Sequence, residues 1–197
     1  GANFLVNEQI ETEVLQGPGK SYGVELSIKK NGRLSGYLNY TFARSFIKLQ
    51  GNERSETVNN GTFFPTNYDK PHTVNLVSNY KLTQRISFSL NANYQTGRPV
   101  TFPTGLYNIR GAQLISYGER NTFRIPNYFR IDIGINLDES HKIEKFYHSF
   151  WSFSVYNILG RDNPYSVFFD SREGQVEGFQ LIIFGSPIPT ITFNIRF

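Results

Sequence analysis

The feature that most constrains this chain is an alternation of apolar and polar residues that restarts in segment after segment. A repeat of two places successive side chains on opposite faces of an extended strand. Tyr22, Val24, Leu26 and Ile28 alternate with Gly23, Glu25, Ser27 and Lys29. Leu34, Gly36, Leu38, Tyr40 and Phe42 make a second series. Val74, Leu76 and Tyr80 make a third, interrupted at Val77 and Ser78. Ile86 to Tyr94, Phe129 to Leu137, Trp151 to Val155 and Ile191 to Phe197 continue the pattern. No segment carries the 3.6-residue period of an amphipathic helix. The chain is therefore expected to be all-β.

The connections supply a second constraint. Lys30-Asn31-Gly32-Arg33 reads as a tight type I′ hairpin, since Asn and Gly accept positive φ angles. Residues 82–85 form another short turn, and residues 138–148 a somewhat longer polar one. Between these lie two very long connections, 45–71 and 97–127, which read as structureless. Each strand approaches the roughly 9–11 residues that a tilted strand needs to cross a bilayer. Short turns at one end and long loops at the other are the habit of transmembrane β-barrels, short in the periplasm and long outside. On that basis strands 21–29, 72–81, 128–138 and the last one run inward, and strands 34–44 and 86–96 run outward. The strand beginning near Ser149 also runs outward and is expected to continue past Asn157 toward Phe169. Residues 9–15 are assigned to a preceding strand, with Gly17-Pro18-Gly19 in its loop. Outward-facing Phe42, Tyr94 and Phe129 then fall at one membrane border, and Tyr80, Trp151 and Phe197 at the other. Such girdles are a barrel habit, and they come from cues independent of the loop lengths.

Composition decides between this reading and a soluble β-sandwich. A sandwich also alternates, but its polar faces meet water and carry Lys and Glu. Here the polar positions are mostly Ser, Asn, Thr and Gln, which suit a crowded lumen. The 12 Tyr and 18 Phe exceed what an ordinary soluble domain uses and match the girdles. The absence of Cys excludes disulfides and thiolate metal sites. A net charge of +4, scattered rather than clustered, argues against nucleic acid as a partner. There is no Met, even at position 1, so the chain is expected to be a mature, cleaved or partial product without a signal peptide.

Several segments resemble a known family. Thr190 to Phe197 reads TITFNIRF, an alternating final strand ending in Phe. It resembles the C-terminal signal read by the outer-membrane assembly machinery, with Phe193, Ile195 and Phe197 as its apolar residues. SFSVYNILGRDNPYSVFF, from Ser152 to Phe169, is similar to the penultimate-strand region of TonB-dependent receptors, with Asn157-Ile158-Leu159 in the place of an Asn-Leu-Phe-like tripeptide. YGVELSIKKNGRLSGYLNYTFARS resembles a paired-strand segment of the same barrels, and FFPTNYDKPHTVNL and TGRPVTFP resemble segments of receptors from Bacteroidota. The resemblance implies a barrel of about 22 strands, of which this chain supplies about seven or eight and no plug domain. The whole chain, 1–197, is then the C-terminal part of the barrel. Its implied partners are the lipid bilayer, the assembly machinery, the remaining strands, the plug, TonB acting through the plug, and a surface lipoprotein. Its implied place is the outer membrane of a bacterial cell. Its implied role is energised nutrient uptake without a cofactor. A self-contained small barrel with a structural or adhesive role, and an outer-membrane hydrolase, are the alternatives.

Candidate residues follow from position. Loop 97–127 carries Arg98, Tyr107, Arg110, Tyr117, Glu119, Arg120 and Arg124. Arg and aromatic residues on scaffolded loops are what binding surfaces favour. They are candidates for a substrate vestibule, weighed against a plain solvated loop. Arg130 and Asp132 point into the lumen, either to meet substrate or plug or to brace the wall as a pair. His72, His141 and His148 lack the spacing of a metal site, and no Ser–His–Asp arrangement is evident. No catalytic, cofactor or metal residue is assigned. Asn39 and Asn60 each begin a glycosylation sequon, but the first lies within a strand and neither is assigned.

Overall fold

In the computed structural model, residues 15–51, 56–110, 112–139, 148–172 and 174–196 are described. In chain order their strands are β1 (Gly19–Lys30), β2 (Leu34–Ile47), β3 (Phe64–Pro65), β4 (His72–Lys81), β5 (Ile86–Gln95), β6 (Pro99–Val100) and β7 (Pro103–Ile109). There follow β8 (Ala112–Tyr117), β9 (Phe123–Arg124), β10 (Tyr128–Asp138), β11 (His148–Tyr156), β12 (Pro164–Arg172), β13 (Gln175–Ile182) and β14 (Ile188–Arg196). Seven long strands make one antiparallel up-and-down sheet in the order β1-β2-β4-β5-β10-β11-β14, with β3 attached to β2. Three two-stranded ribbons, β6-β9, β7-β8 and β12-β13, lie in its long connections.

The register sorts the side chains by face. Leu26, Tyr40, Val74, Tyr94 and Phe129 form one row across five strands. Leu34, Tyr80, Phe88, Ile135, Phe153 and Ile191 form another on the same face. On the other face Ser27, Asn39, Asn75, Asn93 and Arg130 stand in line. Neighbouring strands are joined there by side-chain hydrogen bonds. Ser27 Oγ donates to Asn39 Oδ1 at 2.7 Å, Ser152 Oγ to Asn136 Oδ1 at 2.6 Å, and Asn93 Nδ2 to Asn75 Oδ1. The Val77-Ser78 interruption causes no bulge. Ser78 simply takes an apolar-face position between Gly36 and Leu90, while Val77 stands between Tyr37 and Asn91. Gly36 is required at that crossing, because a Cβ there would strike the Val77 carbonyl.

The sheet is a single layer. Among the described residues the buried apolar side chains are Leu49, Phe64 and Ile125, all outside the seven long strands. Val24 stays 68% exposed and Ile191 65% exposed, so the apolar face is bare from one edge to the other. Aromatic residues do gather toward the strand ends. Tyr94 meets Phe129 edge-on at 6.5 Å near one end, and Trp151 meets Phe193 at 4.7 Å near the other.

Several expectations change. The turn after β1 is not type I′: of its residues Gly32 alone takes a positive φ, 120°, and the last paired residues are Lys30 and Gly36. The loop is thus wider than a two-residue hairpin. β11 does not continue toward Phe169. It stops at Tyr156, because Asn157 turns into the left-handed region at φ 50°, and Pro164–Arg172 folds back on β13 instead. Nor are the long connections structureless, since β3 and two of the ribbons occupy them. Residues 9–14, His141 and Phe197 lie outside the described residues.

The register is open to direct test, since the chain has no Cys of its own. Ser154 lies opposite Thr190, while Ile191 points to the other face. The double variant Ser154→Cys/Thr190→Cys is expected to cross-link on mild oxidation, because directly opposed residues bring their side chains close enough for a small backbone adjustment to close the bond. Ser154→Cys/Ile191→Cys is expected not to cross-link. Electrophoresis without reductant reads both.

A candidate binding vestibule

All three long connections, 48–71, 96–127 and 157–187, leave the same end of the sheet and fold onto one another. The bases of the first two are held by one carboxylate. Asp69 is fully buried as a side chain and accepts from Arg44 Nε at 3.1 Å, from the Ser45 N–H at 2.7 Å and from Arg124 Nη2. Arg124 also donates to the carbonyls of Asp69, at 2.6 Å, and Gly97, at 2.8 Å. One side chain thereby joins β2, the segment before β4 and the ribbon β6-β9. Burial by itself raises the Asp69 pKa, but the Ser45 N–H and the two guanidiniums outweigh it and hold the carboxyl below its usual value.

Asparagines hold the next layer. Asn59 Oδ1 accepts from the Arg120 N–H at 2.6 Å, and its Nδ2 donates to the Arg120 carbonyl at 2.8 Å. Asn121, buried, donates to Pro65 O at 2.7 Å and Asn67 Oδ1 at 2.9 Å. Asn163 binds both the N–H and the carbonyl of Phe129, at 2.9 and 3.0 Å, serving the edge of β10 where β11 has ended. Asn157 donates to the carbonyls of Arg161 and Phe184, both at 3.1 Å. Asn59, Asn121 and Asn157 also have positive φ, which a short amide side chain tolerates better than a bulky one. Asn157 was noted only within its tripeptide, and Asn59, Asn121, Asn163 and Asp69 did not stand out in the sequence. The signal available was Asn or Asp in a polar connection, and that pattern is common to turns of every kind.

The candidate residues separate. Tyr107 is exposed on β7, and Arg110 sits at the β7-β8 tip with φ 50°. Tyr117 and Arg120 line an open shelf with Asn60 and Thr101. Arg98 reaches across to Ser166 Oγ at 3.0 Å, tying β6-β9 to β12. Arg124 is spent on Asp69. On the sheet's polar face Arg130 pairs with Asp132 at 3.1 Å and donates to the hydroxyls of Tyr128, at 2.9 Å, and Tyr156, at 2.7 Å. Asp132 in turn accepts from Asn91 Nδ2 at 3.2 Å and the Asn157 N–H at 2.9 Å. Both charges are therefore engaged within the sheet. Phe193 and Ile195 lie half-exposed on the apolar face of the edge strand β14. No group of three His, Asp or Glu stands within reach of a common metal ion among the described residues.

Comparison with protein-family models, curated proteins and solved structures gives no match.

The Asp69 junction generates a prediction. Asp69→Asn leaves two guanidiniums facing a neutral amide. It should cost on the order of 3 kcal/mol, the low end for a broken buried pair because the arginines keep 27% and 28% of their side-chain surface. Limited proteolysis should then cut within 48–71 and 96–127 faster than in the wild type. For the wild type, a lowered carboxylate pKa means that this support is complete above the unfolded value of about 3.9 and is lost as pH falls through the folded one. Loop protection that persists in acid below that value would contradict the assignment.

Proposed function

We propose that this chain forms the C-terminal wall of a TonB-dependent receptor in a bacterial outer membrane. The observation that carries this reading is the bare apolar face of a single-layer sheet. A sheet of seven strands that leaves one whole face of Val, Ile, Leu, Phe and Tyr uncovered has no stable solution in water. Hydrocarbon covers such a face without a second protein layer. The opposite face, with its Ser, Asn and Gln rows, then borders the lumen and plug.

The free edges favour a wall over a complete barrel. β1 and β14 end the strand order and do not pair with each other. In a bilayer every backbone N–H and carbonyl needs a partner, so further strands must continue the sheet on both sides. Those strands and the plug come from the rest of the receptor, and the barrel-assembly machinery inserts the whole. The ribboned end faces outward as the vestibule that captures substrate, and a surface lipoprotein is its partner there. TonB pulling on the plug admits the substrate, and residues of this chain perform no bond chemistry.

Two experiments test the reading. In liposomes, Leu90→Arg is expected to cost about 2–4 kcal/mol near the bilayer midplane, whereas Asn79→Lys, on the polar face, is expected to be nearly neutral. Unfolding titrations read this, and equal tolerance at both positions would reject membrane burial of the apolar face. In cells, receptor-dependent growth on the limiting nutrient should vanish when TonB is deleted. Undiminished uptake in that strain would favour a passive or structural barrel.

A further inference from the structure

We propose that the junction of the three ribbons is a binding site for a small organic cation with an apolar body. A cavity of about 450 Å³ opens where β6-β9, β7-β8 and β12-β13 meet. Three phenylalanines form much of its wall. Phe102 lies 4.6 Å from Phe123 with rings tilted at 48°, and 5.3 Å from Phe169 with rings at 75°. Phe102 and Phe123 are in contact with each other and keep 37% and 52% of their surface exposed, so part of each ring is left open. Two glycines keep it open. A Cβ on Gly178 would press on the Phe169 ring at 3.3 Å, and one on Gly118 would meet the Thr104 methyl at 2.8 Å.

One ionised side chain lines this cavity, Glu119. Among the described residues its carboxylate has a single long contact, from Asn60 Nδ2 at 3.4 Å, and retains room to accept more. Nearby cations are committed elsewhere. Arg98 donates to Ser166, Arg124 to Asp69, and Arg172 lies beside Asp170 and over the Phe179 ring. Glu119 and its contact Asn60 also line the neighbouring shelf together with Arg120, so the carboxylate stands at the border between shelf and cavity. The cavity thus presents aromatic faces, which carry partial negative charge, beside a carboxylate at its border, and among the described residues no Lys or Arg lines it. A ligand ammonium gains both the ring quadrupoles and the carboxylate, while its apolar part takes the Phe, Val176 and Pro103 surface. A neutral analogue loses both electrostatic gains, and an anion is repelled. The site stands on the loops' own geometry. Under the importer reading it is where substrate is first captured.

The test uses purified protein in nanodiscs and three probes sharing a phenyl ring: benzyltrimethylammonium, benzyl alcohol and benzoate. Titration calorimetry at millimolar concentration measures each, with empty nanodiscs subtracted for partition into lipid. Benzyltrimethylammonium is expected to bind at least about tenfold more tightly than benzyl alcohol, with benzoate weaker still. Glu119→Gln should remove most of that preference and leave benzyl alcohol unchanged. Phe169→Ala should weaken the cation, with wild-type protease resistance of the loops as the check on folding. Equal binding of cation and alcohol, no binding of the cation, or cation binding indifferent to both variants would each overturn the site. TonB takes no part in the measurement, so the site and the importer reading fail separately.

Discussion

Everything in this structure depends on strand register. A sheet with two unlike faces tolerates no slip, because moving one strand by a single residue exchanges its apolar and polar sets. Six strands hold the same alignment from Leu34 to Ile191 and from Ser35 to Thr190. The cross-strand amide and hydroxyl bonds of the polar face reinforce that alignment, since Asn75 meets Asn93 only when the apolar rows also match. The sheet needs no layer packed against it to define its faces. It needs only neighbours in register.

The fold was legible because period two is written directly into the residues. β4 and β10 fall at 72–81 and 128–138, where the alternation places them. The departures come where a local conformation overrides the pattern. Phe168 and Phe169 extend the aromatic run after Trp151, yet Asn157 ends the strand by accepting positive φ and bonding three carbonyls across the turn. The Asn-Gly pair after β1 suggested the tightest hairpin, but the closing pair formed further out, at Lys30 and Gly36. Alternation says which face a residue occupies and not how the chain turns.

The vestibule was less legible, for a different reason. Arg98 and Arg124 attract notice in sequence as solvent-seeking side chains, and both turn back to hold other segments. Their partners, Ser166 and Asp69, lie 68 and 55 residues away in sequence. A contact across such distances leaves no local trace. Among the candidates, Tyr107, Arg110 and Tyr117 stay exposed on β7, at its tip and at the end of β8.

The Asp69 junction divides the outer end into a fixed base and a changeable crown. The carboxylate fastens the roots of the first two connections, at Arg44, Ser45 and Arg124, with Arg124 holding Gly97 in turn, while the ribbons above it touch one another. Ribbons can therefore be lengthened, shortened or replaced without retuning the strands that carry them. Such a plan resembles a socket with interchangeable fittings, in which the turns at one end of a sheet can vary while the strands beneath stay unaltered.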